Sequence, residues 1–204
     1  MGADALPANK TRRVLVAISG ASGSIYGVRL LELMRPLPDV ETHMILSKAG
    51  RVTLAAECER GAEEVEALAD VVHAPANIAA PPSSGSFRMH AMIIAPCSIR
   101  TASNIAAGNT GDLISRAADV MLKERRTLIV VPRETPFSAI HLRNMLAIAE
   151  AGGIVLPANP GFYHRPSRVE DLVDYVVARV LDHLGVEQEL MPKWGEDPGE
   201  LAGP

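Results

Sequence analysis

Ala118-Asp119-Val120-Met121-Leu122-Lys123-Glu124-Arg125-Arg126-Thr127-Leu128-Ile129-Val130-Val131-Pro132-Arg133-Glu134-Thr135-Pro136 is the stretch that decides the fold class. An amphipathic segment ends in the cations Lys123, Arg125 and Arg126, then gives way at once to the apolar run Thr127–Val131. A short, almost continuous apolar run is what a strand covered on both faces requires. Arg133 and Glu134 then fall at the carboxyl end of that strand. In open α/β sheets this edge is where ligands bind. The cations and the carboxylate of the stretch are therefore expected to hold an anionic group together.

The same rhythm extends in both directions. Val14–Ile18, Thr42–Leu46, Val71–His73, Met89–Ala95 and Ile154–Leu156 read as further strands. Ile25–Met34, Ala49–Glu59, Thr101–Ala107, Leu113–Glu124 and Ile140–Ala151 read as helices. Ser167-Arg168-Val169-Glu170 has the form of a capping box, opening a last helix that runs to about Leu184. Strand–helix alternation with short connections implies an α/β fold. It is a doubly wound, mostly parallel sheet in a flavodoxin-like or Rossmann-like three-layer sandwich, one domain over residues 13–184. Residues 1–12 read as a disordered leader. Residues 185–204, Pro-rich and carrying Trp194, read as a tail that packs on a neighbouring subunit. Pro75–Phe87 is a long loop, and such loops in compact domains are commonly functional.

Composition narrows the function. The 204 residues suffice for one sizeable core, 48% are hydrophobic and only 3% aromatic, so that core is aliphatic. A net charge of −4 argues against nucleic acid as a partner. Any basic site is local and suits a small phosphorylated ligand. Cys58 and Cys97 form neither a disulfide framework nor a metal-ligand spacing, and no pair of histidines has ligand spacing either. No apolar run is long enough for a bilayer and the start lacks a signal core, so a cytoplasmic protein without a membrane partner is expected.

Four segments carry chemistry. Ser19-Gly20-Ala21-Ser22-Gly23-Ser24 joins the first strand to a helix, and its small residues let backbone N–H groups approach an anion. It has neither the spaced dinucleotide fingerprint nor a P-loop ending, which leaves a mononucleotide, a simple phosphate or a plain tight turn. Pro96-Cys97-Ser98-Ile99-Arg100-Thr101 repeats the arrangement after another strand, where Ser98 also suits an N-cap. Arg116, Asp119 and Lys123 share a helix face whose neighbours are mostly apolar, and buried cations need an anion. Glu124, Arg125 and Arg126 read as a solvated face. Arg133 can hold a phosphate in a bidentate fork or serve a structural ion pair. His43, His73 and His90 read as strand-end or packing residues. With cations in surplus and no Asp-rich box, metal-free handling of a phosphate is expected.

Together these segments resemble the UbiX-type flavin prenyltransferases. The resemblance runs from about Arg13 to Trp194 and rests on Ser19–Gly23, Ser47-Lys48-Ala49, Ser84-Gly85-Ser86, Pro96-Cys97-Ser98, Leu122-Lys123-Glu124-Arg125-Arg126, Pro132-Arg133-Glu134-Thr135-Pro136 and Phe162-Tyr163-His164-Arg165-Pro166. It implies a homo-oligomer, commonly a dodecamer, with sites shared between subunits. It implies that dimethylallyl phosphate alkylates reduced FMN at N5 and C6 without a metal, giving prenylated FMN for a UbiD-type decarboxylase. By the same resemblance Gly20, Ala21, Ser22, Ser47, Ser98, Ile99, Arg100, Thr101 and Arg133 hold FMN. Ser22, Arg116, Lys123, Arg133, Glu134, Tyr163 and Arg179 surround the prenyl phosphate. Glu57, a surface carboxylate by its local sequence, assists proton transfer, with Lys123, Glu134 and Tyr163 as the other catalytic groups. The chain departs from its relatives at Ala76-Asn77-Ile78, which leaves the donor's length open. Two rival readings are an FMN-dependent decarboxylase of cysteine-derived substrates and a non-catalytic FMN carrier. The former lacks its Ser-Ala-Asn-Thr run here; the latter has no need of Glu57, Lys123, Glu134 and Tyr163.

Overall fold

A computed structural model describes residues 12–191. Most of the expected leader and the tail beyond Met191, with Trp194, lie outside the described residues. Arg12, assigned to the leader by the sequence, opens the first strand instead. The chain divides into two compact units, one ending at Pro157 and the other beginning at Ala158.

The first unit carries β1 (Arg12–Ile18), α1 (Ser24–Met34), β2 (Val40–Leu46), α2 (Lys48–Glu57), α3 (Ala62–Glu66), β3 (Val71–His73), a 3-10 turn (Pro81–Ser83), β4 (Ala91–Cys97), α4 (Ile99–Ala106), α5 (Leu113–Lys123), β5 (Thr127–Pro132), α6 (Ala139–Glu150) and β6 (Ile154–Val155). All six expected strands form. They make one parallel sheet in the order β3-β2-β1-β4-β5-β6. The chain winds outward from β1 to β3, returns to β4 beside β1, and winds outward the other way. Right-handed crossovers then put the two sets of helices on opposite faces. Double coverage is visible in the strands themselves, since every residue of β4 is buried. The core is aliphatic as composition demands, built around Leu15, Ile45, Met92, Ile94, Leu128 and Val130.

Gly27 makes one close approach possible. A Cβ there would lie within 3 Å of the Ile18 side chain and collide with the Ala95 carbonyl, so only glycine lets α1 settle on the β1–β4 seam. The sequence reading missed α3 and the 3-10 turn, which are too short to show a helical period.

The second unit carries α7 (Val169–His183), with Val173, Val176, Val177, Val180 and Leu181 buried along one stripe. Its start departs from the expected capping box by one residue. Asp171, not Glu170, accepts the backbone N–H groups of Ser167 at 2.9 Å and Arg168 at 3.0 Å. Those two bonds hold its carboxyl at about 2, below the usual range.

Candidate active site at the carboxyl edge of the sheet

Strand order reverses between β1 and β4, and in open α/β sheets ligands bind beyond the carboxyl ends at that reversal. Ser19 closes the seam. Its hydroxyl donates to Pro96 O at 2.8 Å and accepts the Ser98 N–H at 2.7 Å, while its own N–H donates to Pro96 O at 3.2 Å. Beside it the Ser47 N–H donates to Ile18 O at 3.0 Å, tying the end of β2 to that of β1. Three helices therefore begin together along this edge: α1, α2 and α4.

Each helix start has a different partner. Ser47 caps α2, accepting the Gly50 N–H at 2.8 Å. Ser98 caps α4, accepting the Thr101 N–H at 3.2 Å, and its hydroxyl lies 3.0 Å from that of Thr101. The cap reading and the anion reading of Ser98 coexist, because a cap leaves the other first-turn amides directed outward. For α1 the partner is Glu57, which reaches across from the end of α2. Its Oε2 accepts the Gly23 N–H at 2.8 Å and the Ser24 N–H at 3.1 Å. Gly23 sits at φ 101°, where a side chain is strained.

Glu57 is thus no plain surface carboxylate. Partial burial raises its carboxyl, but the Ser22 hydroxyl, the Gly23 and Ser24 amides and the Arg133 guanidinium together bring it below the ordinary value. Arg133 comes from the end of β5, its Nε–H donating to Ser22 O at 3.2 Å. Tyr26, which the sequence reading passed over, lies in the field of Arg133; burial raises its phenol. Glu134 is exposed and accepts the Thr135 N–H at 3.0 Å. Gly20 and Ala21 line the turn, and a Cβ on Gly20 would lie 2.5 Å from that of Ala49. Ile99 is half-buried and Arg100 exposed in the first turn of α4. Cys97 packs: burial pushes its thiol up to about 12.

The fold gathers Glu57, Ser22, Ser47, Ser98, Thr101, Arg133 and Glu134 at one edge, but not Lys123. All the strands are parallel, so the end of α5 that leads into β5 lies at the amino edge. The six residues of β5 span about 20 Å of extended chain between Lys123 and Arg133. Residues 118–136 therefore do not form one anion-holding array within a single chain. Arg116 is half-buried and pairs with Asp119 at 3.0 Å, and Lys123 is exposed and pairs with Glu124 at 2.5 Å. Arg126 corrects the expectation of a solvated face: 18% exposed, it donates to Gly85 O at 2.6 Å and to Phe87 O at 3.3 Å. In the second unit Tyr163 is 77% exposed and Arg179 pairs with Asp182 at 2.6 Å. His43 and His73 pack as expected, stacked and hydrogen-bonded at 2.9 Å.

The donors at this edge suit a flavin mononucleotide. Two Ser-capped helix starts and the Ser98–Thr101 hydroxyl pair can take its phosphate, while the Glu57 carboxylate already fills the amides of α1. Among the described residues no cluster of three or more His, Cys, Asp or Glu could hold a metal, and no helix is long and apolar enough to cross a membrane.

Fold and site define a doubly wound α/β protein whose capped helix starts, Glu57 and Arg133 gather at the strand-order reversal. A flavoprotein family model matches residues 5–181. The chain is 50% identical to a probable UbiX-like flavin prenyltransferase of Streptomyces sp. (strain D7), over 89% of this chain and 91% of that one. It is 49% identical to flavin prenyltransferase UbiX of Escherichia coli K12, over 90% and 98%. A crystal structure of AnUbiX (PadA1) with FMN and dimethylallyl pyrophosphate superposes with a TM-score of 0.88 at 46% identity, covering 91% of this chain and 98% of that one. A dodecameric FMN-dependent UbiX-like decarboxylase from Escherichia coli O157:H7 superposes at 0.85 and 49%, covering 86% and 96%. The chain belongs to the flavoprotein family and, within it, to the UbiX-type flavin prenyltransferases. Its likeness to the cysteine decarboxylase TvaF, at 13% identity, is one of fold alone.

Proposed function

We propose that this protein joins the dimethylallyl group of dimethylallyl phosphate to N5 and C6 of reduced FMN, without a metal, and that the prenylated FMN serves a UbiD-type decarboxylase. The observation that carries this reading is the Glu57 carboxylate clasped at the start of α1 beside Arg133. A carboxylate beside a guanidinium supports a proton acceptor next to a cation able to bind phosphate, and the flavin prenyltransferase relatives support the reaction class.

Reduced FMN, when bound, supplies the nucleophilic flavin positions. The chain's own residues do the rest. Ser98, Thr101 and Ser47 orient the flavin phosphate at the starts of α4 and α2. Arg133, anchored on Ser22 O, stabilises the charge gained by the leaving phosphate as its bond to carbon breaks. Glu57, held ionised, is ready to take a proton as the new ring closes. Gly20, Ala21, Ile99 and Arg100 complete the flavin seat. Glu134, Tyr163, Arg179, Arg116 and Lys123 complete the phosphate seat. Because Lys123 lies at the opposite edge of its own sheet, it serves the crevice of a neighbouring copy, and the protein works as a homo-oligomer. The dodecameric relative supports that assembly.

The test is anaerobic incubation with reduced FMN and dimethylallyl phosphate, or the pyrophosphate in parallel, with chelator present. The released flavin is then weighed by mass spectrometry. A flavin heavier by one prenyl unit is expected. Tightly bound, unchanged FMN with both esters contradicts the transferase reading and favours the carrier.

A further inference from the structure

Glu124 and Arg126 follow Lys123 at the end of α5. The guanidinium of Arg126 bridges two carbonyls of the Ser83–Phe87 loop, Gly85 O at 2.6 Å and Phe87 O at 3.3 Å. Arg116, earlier on α5, donates to Ser83 O at 3.2 Å. Glu124 stands between helix and loop. Its Oε1 accepts from Lys123 Nζ at 2.5 Å, and the same carboxylate lies over Gly85 so closely that a Cβ there would overlap it. The Ser84 and Ser86 hydroxyls on either side of Gly85 are 2.8 Å apart.

We propose that Glu124 and Arg126 are positioning residues for Lys123, clamping the Ser83–Phe87 loop to the end of α5 so that Lys123 and the Ser84–Ser86 segment form one pre-built anion-holding half-site. This rests on the reading that Lys123 receives the prenyl phosphate. An unpaired lysine is a flexible stem that binding must order; a planar guanidinium fixed on two carbonyls is already ordered. Ordering before substrate arrives is what lowers the cost of binding. Glu124 keeps the ammonium over the loop until a phosphate takes its place. Lys123 and Arg126 hold that carboxylate ionised, below its usual range. A side chain at 85 would displace the Glu124 carboxylate from its place beside Lys123.

The test compares Arg126→Ala, Arg126→Lys and Gly85→Ala in the intact oligomer, by steady-state kinetics in dimethylallyl phosphate and by amide exchange at residues 85–87. Arg126→Ala is expected to raise KM about tenfold with kcat within about twofold, the pattern of lost binding order rather than lost chemistry. Arg126→Lys recovers part of this, since an ammonium keeps the charge and donors but lacks the rigid planar fork that spans both carbonyls. Gly85→Ala raises KM similarly. In a Lys123→Ala background, Arg126→Ala adds less than about twofold, because it acts through Lys123. Exchange at 85–87 speeds up in Arg126→Ala, a result that needs no turnover. Unchanged exchange overturns the clamp whatever the wild-type enzyme catalyses. Unchanged KM in Arg126→Ala and Gly85→Ala, or effects that multiply with Lys123→Ala, overturns the positioning role.

Discussion

The carboxyl and amino edges of the sheet use different means to hold polar groups. At the carboxyl edge backbone holds side chain: Gly23 and Ser24 amides clasp Glu57, the Ser98 amide meets the Ser19 hydroxyl, and Ser22 O anchors Arg133. Toward the amino edge side chains reach across to hold the Phe87 segment, ring and backbone alike. Arg13 lies over its ring at 4.5 Å, the His43 ring meets it edge-on at 5.6 Å, and its carbonyl accepts from Arg126. His43 in turn reaches Glu41 at 2.7 Å and His73 at 2.9 Å. The first edge is therefore fixed by the strand ends themselves. The second depends on side chains gathered on the Phe87 segment, and it is the edge that carries Lys123.

The largest expected difference between the edges is catalytic. Glu57→Gln should lower the rate of prenylated-flavin formation by about a hundredfold or more, the usual worth of a positioned proton acceptor. FMN binding, measured by flavin fluorescence quenching, should be retained. Wild-type turnover would remove Glu57 from the chemistry. Ser19→Ala comes next. It leaves the buried Pro96 carbonyl and Ser98 amide without their hydroxyl and should cost about 1–3 kcal/mol in urea unfolding, with weaker FMN binding. A neutral Ser19→Ala would mean that the seam does not depend on that hydroxyl.

The smaller effects separate the edges by pH. The Glu57 carboxyl is lower in the folded chain than the ordinary 4.5, so its stabilisation is present above that value and fades as pH falls through the lower folded value. Glu57→Gln should therefore be less stable than wild type at neutral pH, and the gap should close in acid. His43 and His73 are both depressed by burial from 6.5, so the unfolded chain takes up protons first and stability declines as pH drops below that point. His73→Phe should flatten the decline between about pH 6.5 and 5 while leaving the Glu57 effect in place. If His73→Phe leaves the slope unchanged, the pair does not set the acid response of the amino edge.

The contrast also explains what the sequence disclosed. All six strands were legible because a doubly covered strand is an apolar run, and the carboxyl-edge turns were legible because small residues after a strand are a local signal. Glu57 was singled out only through family resemblance, since the amides it clasps lie 33 and 34 positions away. Arg126 was misread because a charge run bound to a loop 41 positions earlier looks the same, locally, as one bound to water. The capping box slipped by one residue because Glu170 and Asp171 are both acids and only backbone geometry chooses between them. The separation of Lys123 from Arg133 follows from strand direction, which the quoted stretch contains but which only the parallel sheet turns into opposite edges.

If each active site joins the carboxyl edge of one copy to the amino edge of another, complementary defects must rescue each other in mixed oligomers. Co-expression of Glu57→Gln chains with Lys123→Ala chains tests it most directly, with each variant assayed alone for prenylated flavin. Each alone should be nearly inactive. In randomly mixed oligomers about a quarter of the sites would pair an intact Glu57 with an intact Lys123, so activity should return toward that fraction of wild type. Mixed oligomers as inactive as their parents would rule out a shared site, and would mean that both residues must serve the same site from one chain.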